Sequence, residues 1–328
     1  MLRNRKTLNL ALQGGGALGA LTWGVLDRLL EEPHLHFEAI SGTSAGAMNA
    51  AALASGWITG GRDGARETLS SFWEAVGSCN YPLGPRSGAS AKLMIDLTRL
   101  FSPYQLNPFD INPLRKIISK LIDFEALRSP RAIRLFIAAT RLSTGTLKLF
   151  ENSELSVDAL LASACLPTLS HAIEIDGESY WDGAYSGNPA IYPLLYQCRA
   201  PDIMVVRLQP MQRESLPKSA DAIRARMVDF QFNAVFLREM RNLALAKREI
   251  AKQVLPLRGL ARRLSRLNFH LIEADDLIGK MRMEKAVNAN LDFLLTLRDE
   301  GRDRAEIWLE KSARLLGRRS SVDLNVFV

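Results

Sequence analysis

The sequence is poor in the residues that build disulfide frameworks, thiolate metal sites and histidine-based catalysis. Its 328 residues include three cysteines, which lie far apart and form no C-x-x-C pair, and four histidines. This cysteine content excludes a disulfide framework and a cysteine-based zinc site, and it favours a reducing, cytoplasmic environment. We expect neither a bound metal nor a cofactor.

Long apolar segments are also scarce. One segment resembles a targeting signal, because Arg3, Arg5 and Lys6 precede an uncharged run over 7–26. Five of the 20 residues in this run are glycine, so it is too interrupted for a good membrane-spanning helix. We interpret it as mature protein, with a cleaved signal or membrane anchor as the alternative, and no other stretch is long and apolar enough to cross a bilayer.

Positive charge is abundant in one region only. The formal net charge is +7, and residues 211–270 contain 13 lysines and arginines against five acidic residues, so this region alone carries +8. Basic and apolar residues interleave over 221–266, which is typical either of a surface that contacts anionic membranes or of a solvated helix face. We do not expect nucleic-acid binding, because no recognisable module accompanies the charge.

The first 56 residues alternate between apolar runs and turn residues. A short apolar strand over 8–12 leads through glycines to a helix over 18–30, and a second strand over 37–40 leads to an alanine-rich helix over 45–55. Gly56 is the predicted C-cap of that helix. This β-α-β-α opening predicts an α/β fold with a largely parallel sheet.

The α/β pattern continues to about residue 210, and everything after about 221 has a helical pattern. We expect a three-layer α/β/α fold with a central, mainly parallel sheet in residues 1–210. A helical, basic C-terminal region, 211–328, is expected to pack on this domain or complete it. Further strands are predicted at 133–140, 146–150, 172–175, 179–181 and 201–208. The third and fourth of these flank an Asp-Gly hairpin turn, and the last is the final buried strand.

Residues 77–113 form a long irregular segment that is rich in proline, glycine and serine. It surrounds one short amphipathic stretch at 91–101. Because long loops of this kind are usually functional, the segment is a candidate lid, with a plain surface excursion as the alternative.

The residues Gly42-Thr43-Ser44-Ala45-Gly46 fit the G-x-S-x-G pattern between a predicted strand and a predicted helix. On such a tight turn a serine projects its hydroxyl from the top of the sheet, which makes Ser44 a candidate nucleophile. The helix that begins at Ala45 adds its positive end near a developing oxyanion. The alternative is a glycine turn in which Ser44 only caps the helix.

A glycine loop at Gly14, Gly15, Gly16 and Gly19 also satisfies the G-x-G-x-x-G fingerprint of dinucleotide-binding enzymes. That interpretation requires a carboxylate at the end of the second strand, where the sequence has none. Consecutive backbone amides before a helix bind negative charge of any source, including a tetrahedral acyl intermediate. The loop therefore fits an oxyanion hole better than a cofactor site.

A catalytic base is not obvious among the histidines, because His34, His36, His171 and His270 have no convincing catalytic context. Asp182 is a better candidate. It directly follows a short predicted strand, and the small residues after it allow another loop to approach closely.

Together the three motifs resemble those of the patatin-like phospholipases, namely a G-G-G-x-x-G loop, a G-x-S-x-G elbow and a distal D-G-[GA] motif. The order, spacing and predicted context agree, and the resemblance covers roughly residues 7–210. Further stretches that resemble this family are 138–140 with Gly145, Ser163-Ala164-Cys165-Leu166-Pro167, Ile175-Asp176-Gly177 and Asn188-Pro189.

The resemblance implies a serine lipid acyl hydrolase with a Ser-Asp dyad and no histidine. Ser44 would attack the ester carbonyl of a phospholipid or related lipid to form an acyl-enzyme, and Asp182 would act as its base. A dinucleotide-binding enzyme and a catalytically inactive lipid-binding protein are the alternatives. The implied oxyanion donors are Gly14, Gly15, Gly16 and Ala45, and the supporting small residues are Gly19, Gly42, Gly46, Gly183 and Ala184.

Overall fold

The computed structural model describes residues 4–79, 97–98, 100–211, 216–253, 256–278 and 290–328. The amphipathic stretch predicted at 91–101 and much of the candidate lid lie largely outside these residues. The β-strands are β1 Lys6–Leu12, β2 Leu35–Thr43, β3 Arg134–Arg141, β4 Leu147–Glu151, β5 Ile173–Ile175, β6 Glu178–Asp182, β7 Asp202–Arg207 and β8 Asn268–Glu273.

Helices flank the strands along the described chain. The α-helices are α1 Gly19–Leu30, α2 Ala45–Gly77, α3 Pro103–Leu106, α4 Pro113–Leu121, α5 Phe124–Leu127, α6 Val157–Ser163, α7 Tyr192–Gln197, α8 Ala220–Ala251, α9 Gly259–Arg266, α10 Asp275–Ile278 and α11 Leu291–Ser312. Short 3-10 turns lie at Gly16–Leu18, Asn152–Glu154, Gly183–Tyr185, Ala313–Leu315 and Leu324–Phe327.

Within the described residues the strands form one eight-stranded sheet in the order β5-β6-β3-β2-β1-β7-β8, with β4 also paired to β3. Five neighbouring strands, β3, β2, β1, β7 and β8, pair in parallel across the centre of the sheet. Strands β4, β5 and β6 add antiparallel pairs at one side. The prediction of a mainly parallel central sheet is confirmed.

Alternate side chains of the central strands enter two separate hydrophobic cores, because successive residues of a strand point to opposite faces. Leu8, Leu10 and Leu12 pack with α1, α2, α6 and α11 on one face. Ala11 faces the other side, where Ile203 and the helices α7, α8 and α9 form the second core. The chain therefore has the expected three α/β/α layers.

Two sequence-based expectations are wrong. Helix α2 does not end at Gly56 but continues to Gly77 through a kink at Gly60 and Gly61. Gly56 is not a C-cap, since it packs against the carbonyl of Gly64 where the two halves of α2 come close together.

The second wrong expectation concerns the region after residue 221, which is not helical throughout. Strand β8 pairs in parallel with β7 and lies outside it in the sheet, so β7 is not the last strand. Its pattern was not recognised because a short edge strand directly after a basic helix has little hydrophobic periodicity. The division of the chain at residue 210 stays a prediction.

The signal-like run over 7–26 forms β1, the glycine loop and most of α1. Helix α1 is buried against α11, where Gly24 contacts the carbonyl of Arg298 and Gly301 contacts that of Leu21. Among the described residues, none of the helices has the combined length and apolar character needed to span a membrane.

Candidate active site

The three sequence motifs meet at one edge of the sheet. The glycine loop follows the end of β1 and Ser44 follows the end of β2, and these two strands are parallel neighbours. Thr43 lies beside Ala138 of β3, and the next residue of β3, Ala139, pairs with Asp182. The sheet register thus brings Ser44 and Asp182 together although they are distant in the sequence.

Ser44 lies in a strained turn between β2 and α2. Its backbone has φ 55° and ψ −122°, a conformation that a non-glycine residue adopts only when its surroundings hold it there. The Ser44 amide donates a hydrogen bond to Oγ of Ser163 at 2.9 Å. The small residues of the motif permit this turn, since Gly42 packs against the carbonyl of Gly46 and Gly46 against that of Leu12.

Asp182 is the last residue of β6 and its side chain is enclosed, with 1% of the residue exposed. One carboxylate oxygen accepts a hydrogen bond from the Ala184 amide at 2.8 Å. Burial raises the pKa of Asp182 from 3.8 to about 7, against the opposing effect of hydrogen bonds from the Ala184 amide and the Ser44 side chain. The carboxyl group therefore exchanges its proton near neutral pH beside the Ser44 hydroxyl.

The neighbouring small residues let the Asp182 turn approach the sheet. Gly183 packs directly against the carbonyl of Ala138 in β3. The Asp182 amide donates to the Cys165 carbonyl at 2.8 Å, and its own carbonyl accepts from the Thr140 hydroxyl at 2.8 Å. The carboxylate is thus held by backbone contacts on both sides of the turn.

The glycine loop lies against the Ser44 turn. A Cβ on Gly14 would stand 2.7 Å from Cβ of Ser44, and one on Gly19 would stand 2.5 Å from that of Ala45. Gly16 has φ 58°, a left-handed conformation that favours glycine, and Gly15 immediately precedes the 3-10 turn Gly16–Leu18. Any side chain at Gly14 or Gly19 would push the loop away from Ser44.

The Gly14 amide already has a partner, because it donates to Oδ1 of Asn188 at 2.7 Å. The structure therefore brings the glycine loop, the Ser44 turn and the Asp182 turn together, and the amide of Gly14, one of the four predicted donors, already has an acceptor.

Several side chains at the site were not identified from the sequence as supporting residues. Ser163 and Asn188 lie in stretches that resemble the family, which was a usable signal. Asn49 donates to the Gly19 carbonyl at 3.0 Å and accepts from Trp73 Nε1 at 2.9 Å. A single asparagine in an alanine-rich apolar helix is the signal that could have revealed it.

Aromatic side chains lie next to the Asp182 turn. Trp181 and Tyr185 have ring centroids 6.4 Å apart, and Tyr185 and Phe232 have centroids 5.7 Å apart. On the other side of the Asp182 turn, Tyr104 stacks on His171 at 4.0 Å. The described end of the candidate lid therefore contacts the segment that leads to the site.

Two of the histidines have ring partners other than Ser44 and Asp182. The His171 ring stacks on Tyr104 and its Nε2 lies 3.2 Å from the Pro103 carbonyl. His270 is completely buried in β8 between Asp202 and Ser321, at 3.0 Å from each. Asp202 begins β7, so this pair lies at the edge of the sheet opposite to Ser44.

The comparison with known protein families gives one match. The family model described as patatin-like phospholipase matches residues 10–195, which is more than half of the chain. This range includes the glycine loop, Ser44 and Asp182. No curated protein matches the chain.

Several solved structures are similar at low identity, among them the following two. VipD from Legionella pneumophila has 16% identity and a TM-score of 0.36, with 89% of this chain and 67% of that chain covered. Full-length ExoU from the type III secretion system of Pseudomonas aeruginosa, in complex with SpcU, has 16% identity and a TM-score of 0.32, with 95% of this chain and 79% of that chain covered. Likenesses at these scores carry no argument about the present chain.

Proposed function

The chain belongs to the patatin-like phospholipase family, a family of lipid hydrolases, and from this premise we propose that it cleaves carboxylic esters of lipids with Ser44 as nucleophile and Asp182 as base. One observation supports this proposal above the others. Asp182 is buried, has a pKa near 7 and interacts with a serine held in a strained turn. A base with such a pKa is well matched to proton transfer at neutral pH.

In the proposed first step, Oγ of Ser44 attacks the ester carbonyl while its proton moves to the Asp182 carboxylate. The tetrahedral intermediate then collapses, and the protonated Asp182 gives its proton to the departing alcohol. In the second step a water molecule transfers a proton to Asp182 as it attacks the acyl-enzyme. The fatty acid leaves, and the proton returns to Oγ of Ser44.

We propose that the amides of Gly15, Gly16 and Ala45 stabilise the oxyanion. The Gly14 amide is less suitable because it donates to Asn188. The first amides of a helix have no intrahelical acceptor, and Ala45 is the first residue of α2. Each well-placed donor is worth about 3 to 4 kcal/mol in the transition state, which compensates for the weak basicity of a carboxylate.

Exposed apolar side chains support a lipid substrate. In the described end of the candidate lid, Leu100, Phe101, Phe109 and Ile111 are all exposed. Exposed apolar residues concentrated in one segment are unusual for a water-soluble surface and are typical of sites that meet lipid or protein. Together with the aromatic side chains beside Asp182, they favour an aliphatic ester as the substrate and a lid role for this segment.

We also propose peripheral contact with anionic membranes, but through the first half of α8 and not through the whole basic region 221–266. Exposed Ile223, Met227 and Phe230 lie on one helical face, with Arg226 stacked on the Phe230 ring at 4.5 Å. Phe232 follows them and contacts Tyr185 near Asp182. This part of α8 therefore passes beside the Asp182 turn.

The second half of α8 lies at the other edge of the sheet. Nζ of Lys247 donates to the carbonyl of Leu267 at 2.8 Å, directly before β8 begins. The motifs follow the carboxyl ends of β1 and β2. Strand β8 runs parallel to these strands, so its first residue lies at the opposite edge of the sheet, where their amino ends lie. The basic residues of α9, which ends at Arg266, are thus far from Ser44.

Labelling with a fluorophosphonate, which reacts with activated serines, is the decisive test of the proposed function. We expect the wild-type protein to be labelled and to hydrolyse a soluble short-chain ester, and Ser44→Ala to do neither. Ser119→Ala is the matched control, because Ser119 is exposed on α4 and remote from the motifs. Unchanged labelling of Ser44→Ala would refute the assignment.

The labelling result, together with assays of vesicle binding and nucleotide binding, also tests the two alternatives. A catalytically inactive lipid-binding protein would bind lipid vesicles without reacting with the probe. A dinucleotide-binding enzyme would retain nucleotide on purification and would bind it with an affinity that Ser44→Ala does not change. The family match over the glycine loop and both reactive residues favours the hydrolase.

A further inference from the structure

We infer that Asn233 of helix α8 is a positioning residue for the oxyanion loop and that it acts through Gln13 and Asn188. The inference rests on the proposed function, because it concerns the amides proposed to bind the oxyanion. Residue 233 lies beyond the range 10–195 that the family model matches. The C-terminal region would therefore contribute to catalysis without contacting the substrate.

Asn188 makes the direct connection to the loop. Its Oδ1 accepts the Gly14 amide at 2.7 Å, while its Nδ2 donates to the carbonyl of Phe232 in α8 at 3.2 Å. The side chain is fully buried. Since the Gly14 amide directly precedes those of Gly15 and Gly16, this bond determines where the proposed donors lie relative to Ser44.

Gln13 holds the same loop from the other side and uses all its hydrogen-bonding capacity. Its Oε1 accepts the amides of Leu208 and Gln209, each at 2.7 Å. Its Nε2 donates to the Asn188 carbonyl at 3.2 Å and to Oδ1 of Asn233 at 3.3 Å. An amide side chain has two donors and two acceptor positions, so the Gln13 side chain has one orientation that satisfies them all.

Asn233 closes the network from α8. It accepts from Gln13 through Oδ1 and donates through Nδ2 to the Pro210 carbonyl at 3.1 Å. It is buried, and so are both of its partners in the network. Removal of the Asn233 amide would leave one Gln13 donor without an acceptor and would release the segment after β7 from α8.

The expected consequence is a small displacement of the loop and not a loss of fold. The three-layer core is formed by the hydrophobic faces of the sheet and does not depend on these amides. A displacement of about 1 Å at a catalytic group can cost about 100-fold in rate. Asparagine and glutamine do not titrate, so the pH dependence set by Asp182 should be unaffected.

The test compares Asn233→Ala with Asn242→Ala, a matched control because Asn242 is an exposed asparagine on the same helix. We expect Asn233→Ala to lower kcat on a soluble short-chain ester by about 10- to 100-fold while KM changes little. The inhibition constant of an alkyl trifluoromethyl ketone, which forms an oxyanion on serine, should rise in parallel with the loss of kcat/KM. The apparent pKa of the activity should not move.

A double variant tests the route from Asn233 to the loop. If Asn233 acts through Gln13, then Gln13→Ala combined with Asn233→Ala should be no slower than Gln13→Ala alone. Asn233→Ser, which keeps a small polar group, replaces Asn233→Ala if circular dichroism shows that the alanine variant does not fold. Partial recovery of kcat in the serine variant relative to a folded alanine variant is expected.

The outcomes separate this inference from the proposed function. A wild-type protein without esterase activity or fluorophosphonate labelling would refute the function itself. An active wild type with equal kcat in Asn233→Ala and Asn242→Ala would refute only the positioning role. The positioning role would also be refuted if Asn233→Ala lost thermal stability but kept its kcat. The same holds if its whole loss of kcat/KM came from a rise of KM while the affinity for the ketone inhibitor stayed unchanged.

Discussion

Two buried aspartates at opposite edges of the sheet differ in what surrounds them. Asp202, 2% exposed at the start of β7, accepts the Gly317 amide at 2.8 Å and Nδ2 of Asn268 at 3.1 Å, and it contacts Nε2 of His270 at 3.0 Å. Asp182 is equally buried but interacts with one backbone amide and the Ser44 side chain.

The difference shows how burial has opposite uses within one fold. A buried carboxylate is costly as an anion unless several donors compensate for the lost water. Asp202 has these donors and joins the C-terminal segment at Gly317 to β7 and β8. Asp182 has few of them, its pKa rises to about 7, and the carboxyl group becomes suited to proton transfer.

Exchange of each aspartate for asparagine gives the largest contrast. We expect Asp182→Asn to lower kcat by about 10⁴-fold or more, because the base is lost, with little loss of thermal stability. Asp202→Asn should keep kcat within about twofold while it lowers the free energy of unfolding by roughly 3 kcal/mol, since an amide cannot accept all the hydrogen bonds that the buried carboxylate accepts. Esterase kinetics and thermal denaturation of both variants measure this.

A matched control for both is Asp176→Asn, at the exposed turn between β5 and β6, where asparagine tolerates the positive φ of 52°. It should change neither quantity. If Asp182→Asn retained substantial turnover, or if Asp202→Asn were inactive but stable, the roles assigned to the two edges would be wrong.

The pH dependence of the wild type sharpens the comparison. Because Asp182 must be ionised to act as a base, kcat/KM should rise with pH to a plateau above about pH 7 and fall by about 100-fold at pH 5. The raised pKa also means that the folded state binds more protons than the unfolded state between about pH 4 and pH 7. Stability should therefore decrease as the pH rises through this range, and Asp182→Asn should lack that contribution.

The pH dependence of kcat/KM is checked by rate profiles on a soluble ester. The pH dependence of stability is checked separately by denaturation between pH 4 and pH 8. A kcat/KM profile that stays flat down to pH 5 would show that Asp182 does not titrate in the active enzyme.

The smallest expected effect concerns membrane contact at the two edges. Met227 and Phe230, which are 56% and 58% exposed, lie on one face of the first half of α8. We expect replacement of both by serine to weaken binding to anionic vesicles, and hydrolysis of lipid in them, by about tenfold, because apolar burial is lost. Hydrolysis of a soluble short-chain ester should be unchanged.

The control for this prediction is a double Arg258→Gln and Arg262→Gln variant in and before α9. These exposed residues precede β8 at the other edge. If this variant lost vesicle binding and the serine variant did not, the contact would lie on the basic second half of the region and not on the apolar face of α8.

Local patterns were sufficient where chemistry depends on neighbours in the chain. The glycine loop, the Ser44 turn and the Asp182 turn each require small residues at fixed positions, and each was located from the sequence. The opening strands and helices were also predicted, because their hydrophobic periodicity is strong. The length of α2 was wrong because its first helical part ends at the non-helical Gly60 and Gly61 and not at Gly56, and a second helical part follows to Gly77.

Other features depend on contacts between distant residues and had no local signal. Strand β8 was missed because its position beside β7 is determined by packing between the sheet and α11. Asn233 and Gln13 have no distinctive sequence context, since their role arises only where α8 crosses the end of β1. Ser163 and Asn188 were indicated by resemblance to a family, but their hydrogen-bond partners were not.

The sequence by itself determined the fold class and the identity of the residues that meet at the catalytic edge, because turn geometry and hydrophobic alternation are local properties of the chain. Only the tertiary structure decided that Asp182, the proposed base, is buried with few donors while Asp202 is surrounded by them. Both are single aspartates beside short strands in the sequence. The donors that reach Asp202, and the burial that raises the pKa of Asp182, come from residues that the folded sheet brings together from far along the chain.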